Sequence, residues 1–491
     1  MPFIRLLPLL GPILCVFAAV LLVPFGLARY DQDGVQALFG WCALFTLALG
    51  LGFTLAGRRW SPPRVDLQAR DGILLVGVVW VLLPAVAAAP IWLYFERSGA
   101  PIGVAKAYFE AISGLSTTGS TVLSGLDALP RAINLWRCFI QWLGGMGILV
   151  LAVAILPMVG VGGSQLFRAE STGPMKDAKL TPRIHETAKG LWLVYIALSV
   201  ICLMSYRLGG MSWFDAWCHM FTTVSLGGLS PYDASFGHFQ SPTLEWLAVL
   251  FMFMASCNFA LYFVALSKRQ PMRVWRDREV RTTLAVLAGA SALAFVLLMV
   301  HGTYPDVLQA LRMATFHVVS IASTTGFATT DYTLWPVFIP IMMLLLSGVA
   351  TSAGSTGSGI KMARVILLFK QARREMTRIV HPRAISPLTM GHSVVPDATI
   401  FSVLGFMLLY GAVLLALTMV LLLTGMDFET AFSAVVANLN NTGPGLNSVG
   451  PAGNYGGLSD FQLWVLSTSM ILGRLEIMSF LVLFTPGFWR K

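Results

Sequence analysis

Four short stretches of small polar residues interrupt an otherwise strongly apolar chain: LSTTGST at 115–121, SLGGLS at 225–230, ASTTGFA at 322–328 and NNTGPG at 440–445. What they offer is uncharged oxygen. Ser and Thr supply hydroxyls, and glycine, having no Cβ penalty at positive φ, lets consecutive carbonyls turn toward one point. An ion that crosses a membrane must exchange its hydration shell for such oxygens, as the carbonyl rings of potassium channels illustrate. Neutral oxygens do this without a charge that would hold the ion too tightly.

The stretches align. With Gly119, Gly228, Gly326 and Gly443 taken as equivalent, the separations are 109, 98 and 117 residues, the kind of internal period that precedes any single-motif reading. Positions not used in the alignment agree with it. Twelve residues before each glycine stands an alanine (Ala107, Ala216, Ala314, Ala431), followed within two residues by an aromatic (Tyr108, Trp217, Phe316, Phe432). Ser116, Ser225, Ser323 and Asn440 stand three residues before it. Glycine and serine also dominate ordinary turns, but four copies behind four short apolar segments favour one duplicated unit. The candidate ion-contacting residues are Thr117, Thr118 and Gly119, then Leu226, Gly227 and Gly228, then Thr324, Thr325 and Gly326, and finally Asn441, Thr442 and Gly443.

The elements that must position these loops are membrane helices. The chain is 56% hydrophobic and 11% charged, against about 25% charged in a soluble domain. Spans of about 20 apolar residues are expected at 6–28, 36–57, 72–96, 133–160, 188–206, 242–267, 281–302, 334–370, 397–424 and 461–486. The first is too long for a signal-peptide core and lacks a small-residue cleavage site, so it reads as a retained helix. The net charge of +10 is spread in short clusters between apolar runs rather than gathered in a nucleic-acid patch. Of 33 Lys and Arg, 25 fall in alternate connections, which the positive-inside rule places, with both termini, in the cytoplasm. The six cysteines show no C-x-x-C spacing and the seven histidines no H-E-x-x-H, so neither a metal site nor an enzyme is indicated.

Each unit then reads as a span, an apolar helix of about 12 residues too short to cross, a glycine loop and a second span. Irregular backbone at membrane depth requires burial in protein or a water-filled path, so four such re-entrant loops would surround a pore. The expected fold is an all-α polytopic membrane protein, with ten transmembrane helices and four re-entrant pore loops in pseudo-fourfold arrangement. The expected division is two additional helices over 1–70 and units over 71–167, 168–277, 278–383 and 384–491.

These residues resemble the superfamily of Trk, Ktr and HKT potassium transporters, the bacterial TrkH-type subunits in particular. The resemblance extends to QWLGGMGILVLAVAILP at 141–157, RAESTGPMKDAKLTPRIHETAK at 168–189, AGSTGSGIK at 353–361 and GRLEI at 473–477. It implies potassium uptake across the bacterial inner membrane, with Gly119, Gly228, Gly326 and Gly443 as filter glycines. In this family a glycine in the first loop goes with potassium and a serine with sodium. It further implies a homodimer and a cytoplasmic nucleotide-binding regulatory subunit, so that nucleotide acts only through a partner and no cofactor is covalently bound. The loops at 168–189, 268–281 and 361–383 are expected docking surfaces. Little beyond one glycine is shared by all four loops, so fewer symmetric ion sites are expected than in a TVGYG filter.

Beneath the third loop, residues 348–359 hold four glycines, each costing a helix about 1 kcal/mol relative to alanine. The eighth span is therefore expected to break there. The resemblance implies a gate formed by Gly354, Ser355, Thr356, Gly357, Ser358 and Gly359, with Lys361 and Arg474. Tight helix packing on small residues is the competing reading. A phosphate loop is not, because Ile360 separates Gly359 from Lys361 and Met362 replaces Ser or Thr. Arg474, a cation within the membrane, needs partners or water. It reads either as an electrostatic barrier to cations or as a structural partner of Glu476 or loop carbonyls. Lys361 is expected to snorkel to the cytoplasmic end. The functional alternative is a secondary transporter carrying a small solute by alternating access around broken helices.

Overall fold

The computed structural model describes residues 2–60, 69–154, 184–383, 386–390 and 393–490. The basic stretch 168–183, with the boundary between the first two expected units, lies outside them. The regular secondary structure of the described residues is helical apart from one two-residue antiparallel ladder, Thr389–Met390 against Ser393–Val394.

Among the described residues, six helices are long and apolar enough to cross a bilayer: Arg5–Asp31, Gln36–Trp60, Arg70–Arg97, Ala188–Leu208, Arg278–Val300 and Asp397–Leu423. Two further stretches expected as straight spans are bent. Pro242–Ser256 and Phe259–Ser267 meet at 88°, and Asp460–Arg474 and Ile477–Phe484 at 114°. At the first bend Cys257 is extended and Asn258 caps the new helix by accepting the Ala260 amide at 2.9 Å. At the second, Glu476 takes φ +54°, which ends the α-helical path without a glycine. The 334–370 stretch is also discontinuous: Phe338–Ser347 is helical, Met362–Val380 is helical, and the glycine-rich residues between them are not.

Four short helices carry the glycine loops: Gly103–Leu115, Trp213–Val224, Val307–Ala322 and Phe428–Leu439. At 1.5 Å per residue they span roughly 18–24 Å, less than the ~30 Å hydrocarbon thickness. Three start at acceptors that satisfy otherwise orphaned amides: Ser212 takes the Asp215 amide, Asp306 that of Gln309, and Asp427 that of Thr430. Their C-terminal halves are buried throughout. Neighbouring spans close on these ends through missing side chains. A Cβ on Gly144 would stand 1.8 Å from the Leu115 carbonyl oxygen, and one on Gly473 would stand 1.9 Å from that of Leu439. Leu115 and Leu439 both lie four residues before a loop glycine, so the first and last units use the same close approach.

Candidate functional site

Each short helix ends in the same way. Thr117, Leu226, Thr324 and Asn441 all take left-handed φ, at 56°, 57°, 66° and 53°. The next residue donates its amide back across the last turn: Thr118 to Ser113, Gly227 to Thr222, Thr325 to Ser320 and Thr442 to Ala437, at 2.8–2.9 Å. This is the Schellman closure, usually built on glycine at the left-handed position. Here it is built on threonine, leucine and asparagine, although a non-glycine residue with positive φ is uncommon and a β-branched one strained. Strain of this kind persists only where the surroundings over-determine it. Its fourfold repetition ties it to what the loops do together.

The glycines two residues later, at φ 88°, 71°, 87° and 97°, show what that is. A Cβ on Gly119 would lie 2.1 Å from the Gly227 carbonyl oxygen, and one on Gly228 would lie 1.9 Å from that of Thr325. One on Gly326 would lie 2.2 Å from the Thr442 oxygen, and one on Gly443 would lie 2.8 Å from the Thr118 oxygen. Each loop thus presses a backbone carbonyl into the side-chain space of its neighbour's glycine, in the order first, second, third, fourth and back to first. The four loops form a closed ring, and all four glycines line one cavity of about 280 Å³. Three buried oxygens of the loops, Thr324 Oγ1, Asn441 Oδ1 and Thr442 Oγ1, have no hydrogen-bond partner among the described residues. Buried polar atoms are normally satisfied, so these can serve water or an ion.

The supports of the ring come largely from residues that carry no visible period. Gln141 donates Nε2 to the Gly227 carbonyl at 2.7 Å and accepts the Leu229 amide at 3.2 Å. Tyr455 donates its hydroxyl to the Gly443 carbonyl at 2.8 Å, and Asn438 Nδ2 bonds the same hydroxyl at 3.2 Å. Asn441 Nδ2 reaches Thr118 Oγ1 at 2.7 Å and so joins the fourth loop to the first. Arg137 and Glu110, both fully buried, pair at 2.8 Å. Glu110 accepts the Val122 amide at 3.0 Å while Arg137 donates to the Ser230 carbonyl at 3.1 Å, so one ion pair clamps the first loop to the second. Arg137→Met would strand a buried carboxylate, at a cost of about 3–5 kcal/mol. The expected result is a lowered melting temperature in detergent, measured by thermal shift, and Glu110→Gln/Arg137→Met is expected to recover part of it. Single and double variants equally stable with the parent would contradict the clamp.

The broken segment lies directly below the ring. Thr356 Oγ1 donates to the Val224 carbonyl at 3.1 Å, at the end of the second short helix, and a Cβ on Gly357 would stand 3.2 Å from Thr324 Oγ1. Arg474, 3% exposed, donates Nη1 to the Thr356 carbonyl at 2.8 Å and to Ser358 Oγ at 3.1 Å, and Nη2 to the Gly144 carbonyl at 3.4 Å. Its partners are oxygens of the broken segment and of the Arg131–Ala154 helix and not Glu476, which instead pairs with Arg364 at 2.8 Å and with Lys361 at 3.7 Å. Lys361 thus shares one carboxylate with Arg364. The other expected residues sit at the flanks of the segment. The Gly354 carbonyl accepts the Phe259 amide at the 88° bend, Ser355 bonds the Ser352 carbonyl, and Gly359 packs on Gly348.

Bent spans, four buried short helices and a ring of glycine loops define a polytopic all-α membrane protein. Comparison with known proteins narrows this. The family model TrkH, described as a cation transport protein, matches residues 44–491, and the chain belongs to that family. It is 41% identical, over the full length of both chains, to the Trk system potassium uptake protein TrkH of Escherichia coli strain K12. It is 42% identical to the protein of that name from Halomonas elongata, over 99% of each chain. The crystal structure of the potassium transporter TrkH from Vibrio parahaemolyticus matches with a TM-score of 0.90 and 39% identity, covering all of both chains.

Proposed function

We propose that this chain takes up potassium across the bacterial inner membrane as a translocating subunit with ten spans and cytoplasmic termini. The carrying observation is the closed ring, in which each glycine receives the carbonyl of the next loop. An ion entering from the outer cavity exchanges water for the carbonyl and hydroxyl oxygens around Gly119, Gly228, Gly326 and Gly443. It then meets the segment from Gly348 to Lys361, which obstructs the path, with Arg474 adding a positive barrier directly under the ring. Opening is withdrawal of Thr356–Ser358 from Val224, Thr324 and Arg474. The names and close sequence likeness of the relatives support potassium as the ion. Inward movement needs no chemical step, since the membrane potential supplies about 2.3 kcal/mol per charge per 100 mV.

A homodimer and a cytoplasmic nucleotide-binding regulatory subunit complete the proposal. The helix Met362–Val380 suits the regulatory role: it continues from the gate segment, and four of its basic residues, Lys370, Arg373, Arg374 and Arg378, lie beyond its buried first turns. A pull on it is transmitted to Lys361 and Arg364, both paired with Glu476.

The test is uptake of rubidium, as a potassium surrogate, by potassium-transport-deficient bacteria expressing this chain. Saturable uptake that follows the membrane potential and is competed by potassium is expected. Flux that instead requires an organic solute at fixed stoichiometry would replace this reading with alternating-access transport.

A further inference from the structure

The alignment that superposes the glycines also superposes the residues nine positions earlier: Glu110, His219, His317 and Ala434. All four are completely buried. Glu110 accepts the amide of Val122, three residues after its glycine, at 3.0 Å. His317 Nε2 faces the amide of Thr329, also three residues after its glycine, at 3.2 Å. In the fourth unit alanine cannot reach, and the preceding Ser433 accepts the equivalent Leu446 amide at 2.9 Å. In the second unit the equivalent residue is Pro231, which has no amide hydrogen. There His219 Nε2 meets the Ser230 hydroxyl at 3.2 Å. Four side chains of three kinds thus perform one task, holding the chain where it leaves the loop glycine.

The geometry determines the state of the His317 imidazole. The Thr329 amide can only donate, so His317 Nε2 accepts. Its Nδ1 lies 2.8 Å from the Met313 carbonyl, which can only accept, so Nδ1 carries the proton. His219 repeats this, with Nδ1 donating to the Asp215 carbonyl at 2.9 Å. Its Nε2 faces the Ser230 hydroxyl, which can donate to it while Ser230 Oγ accepts the Tyr232 amide at 3.1 Å. For His317, neutral imidazole is the only form that satisfies both partners, and it is the form in which His219 accepts from Ser230.

We infer that His317 and His219 are positioning residues of the ion filter, neutral acceptors that hold the outgoing strands of the third and second loops and thereby set the ring's ion preference. The inference rests on the potassium-uptake reading and extends it to residues that contribute nothing to the ring itself.

The experiment measures rubidium uptake against sodium competition for the parent, His317→Gln and His317→Asn, at matched membrane abundance. Glutamine places an acceptor near the reach of Nε2, and asparagine near that of Nδ1. H317Q is expected to keep the parental preference and H317N to lower it by about fivefold, the worth of one net hydrogen bond. Equal behaviour of the two variants, whether both retain or both lose the preference, would overturn the inference. If H317N is absent from the membrane, Thr329→Pro carries the test, because it deletes the donor and leaves His317 intact. A similar loss is then expected, and parental preference in T329P would overturn the inference. Absence of rubidium uptake by the parent would instead overturn the functional reading beneath it.

Discussion

Gly228→Ala should abolish rubidium uptake, by at least about a hundredfold, since misplacing a positioned group by about 1 Å has effects of that size. The added Cβ would stand 1.9 Å from the Thr325 carbonyl oxygen and 2.9 Å from its carbon. Both atoms are backbone, so relief requires displacing the third loop, not rotating a side chain. That carbonyl is itself a member of the ring, so the damage falls on two loops at once. Alanine at φ +71° adds about 1–2 kcal/mol of local strain. The control is Gly289→Ala, in the Arg278–Val300 helix, where nothing lies within 4 Å of an added Cβ. It should leave uptake unchanged and stabilise the helix by about 1 kcal/mol. Parental uptake by G228A at equal abundance in the membrane would show that the carbonyl ring does not carry the flux.

Arg474→Met should raise uptake in cells lacking any regulatory partner. The substitution keeps an apolar stem and removes two hydrogen bonds to the segment below the ring, at Thr356 and Ser358, and one that anchors the guanidinium to Gly144 of the Arg131–Ala154 helix. Each bond to a charged donor is worth about 1.5–3 kcal/mol, so losing even one shifts a closed-to-open equilibrium by tenfold or more. Arg474→Lys separates the two roles of this residue. It keeps the charge but not the guanidinium fork that serves two segments together. Low basal uptake in R474K beside raised uptake in R474M assigns the restraint to charge, and raised uptake in both assigns it to the clamp. Deletion of residues 353–358 should mimic R474M. Unchanged basal flux in R474M and in the deletion would remove the gate from the mechanism.

The ring was legible in the sequence to the extent that it is periodic. Gly119, Gly228, Gly326 and Gly443 align because each loop makes the same turn against an equivalent neighbour, and a shared geometric demand leaves a shared residue. The break after Ser347 was legible because glycine clusters weaken helices whatever surrounds them. The column holding Glu110, His219 and His317 was equally open to alignment, but its polarity acquires meaning only once Val122, Ser230 and Thr329 are seen to fold back on it. Tyr455 gave no signal, and Gln141 none as a brace although it opens a stretch that carries the family resemblance, since neither residue repeats at the equivalent positions of the other units. The bend at Cys257–Asn258 contains neither glycine nor proline, and only the capping capacity of Asn258 hinted at it. The Arg364–Glu476 pair joins residues 112 apart in sequence, and only the folded chain brings them together.

The most direct measurement of the central claim is the ratio of rubidium to sodium uptake for the parent and for Gly119→Ser, in the same potassium-transport-deficient cells. A serine Cβ at position 119 would meet the Gly227 carbonyl oxygen at 2.1 Å, at a backbone φ of +88°. It must push back one carbonyl while adding a hydroxyl to the first loop. The parent is expected to prefer rubidium, and G119S, still present in the membrane, to lose that preference while retaining cation flux. A G119S variant with the parental ratio would contradict a filter built from the four glycine loops.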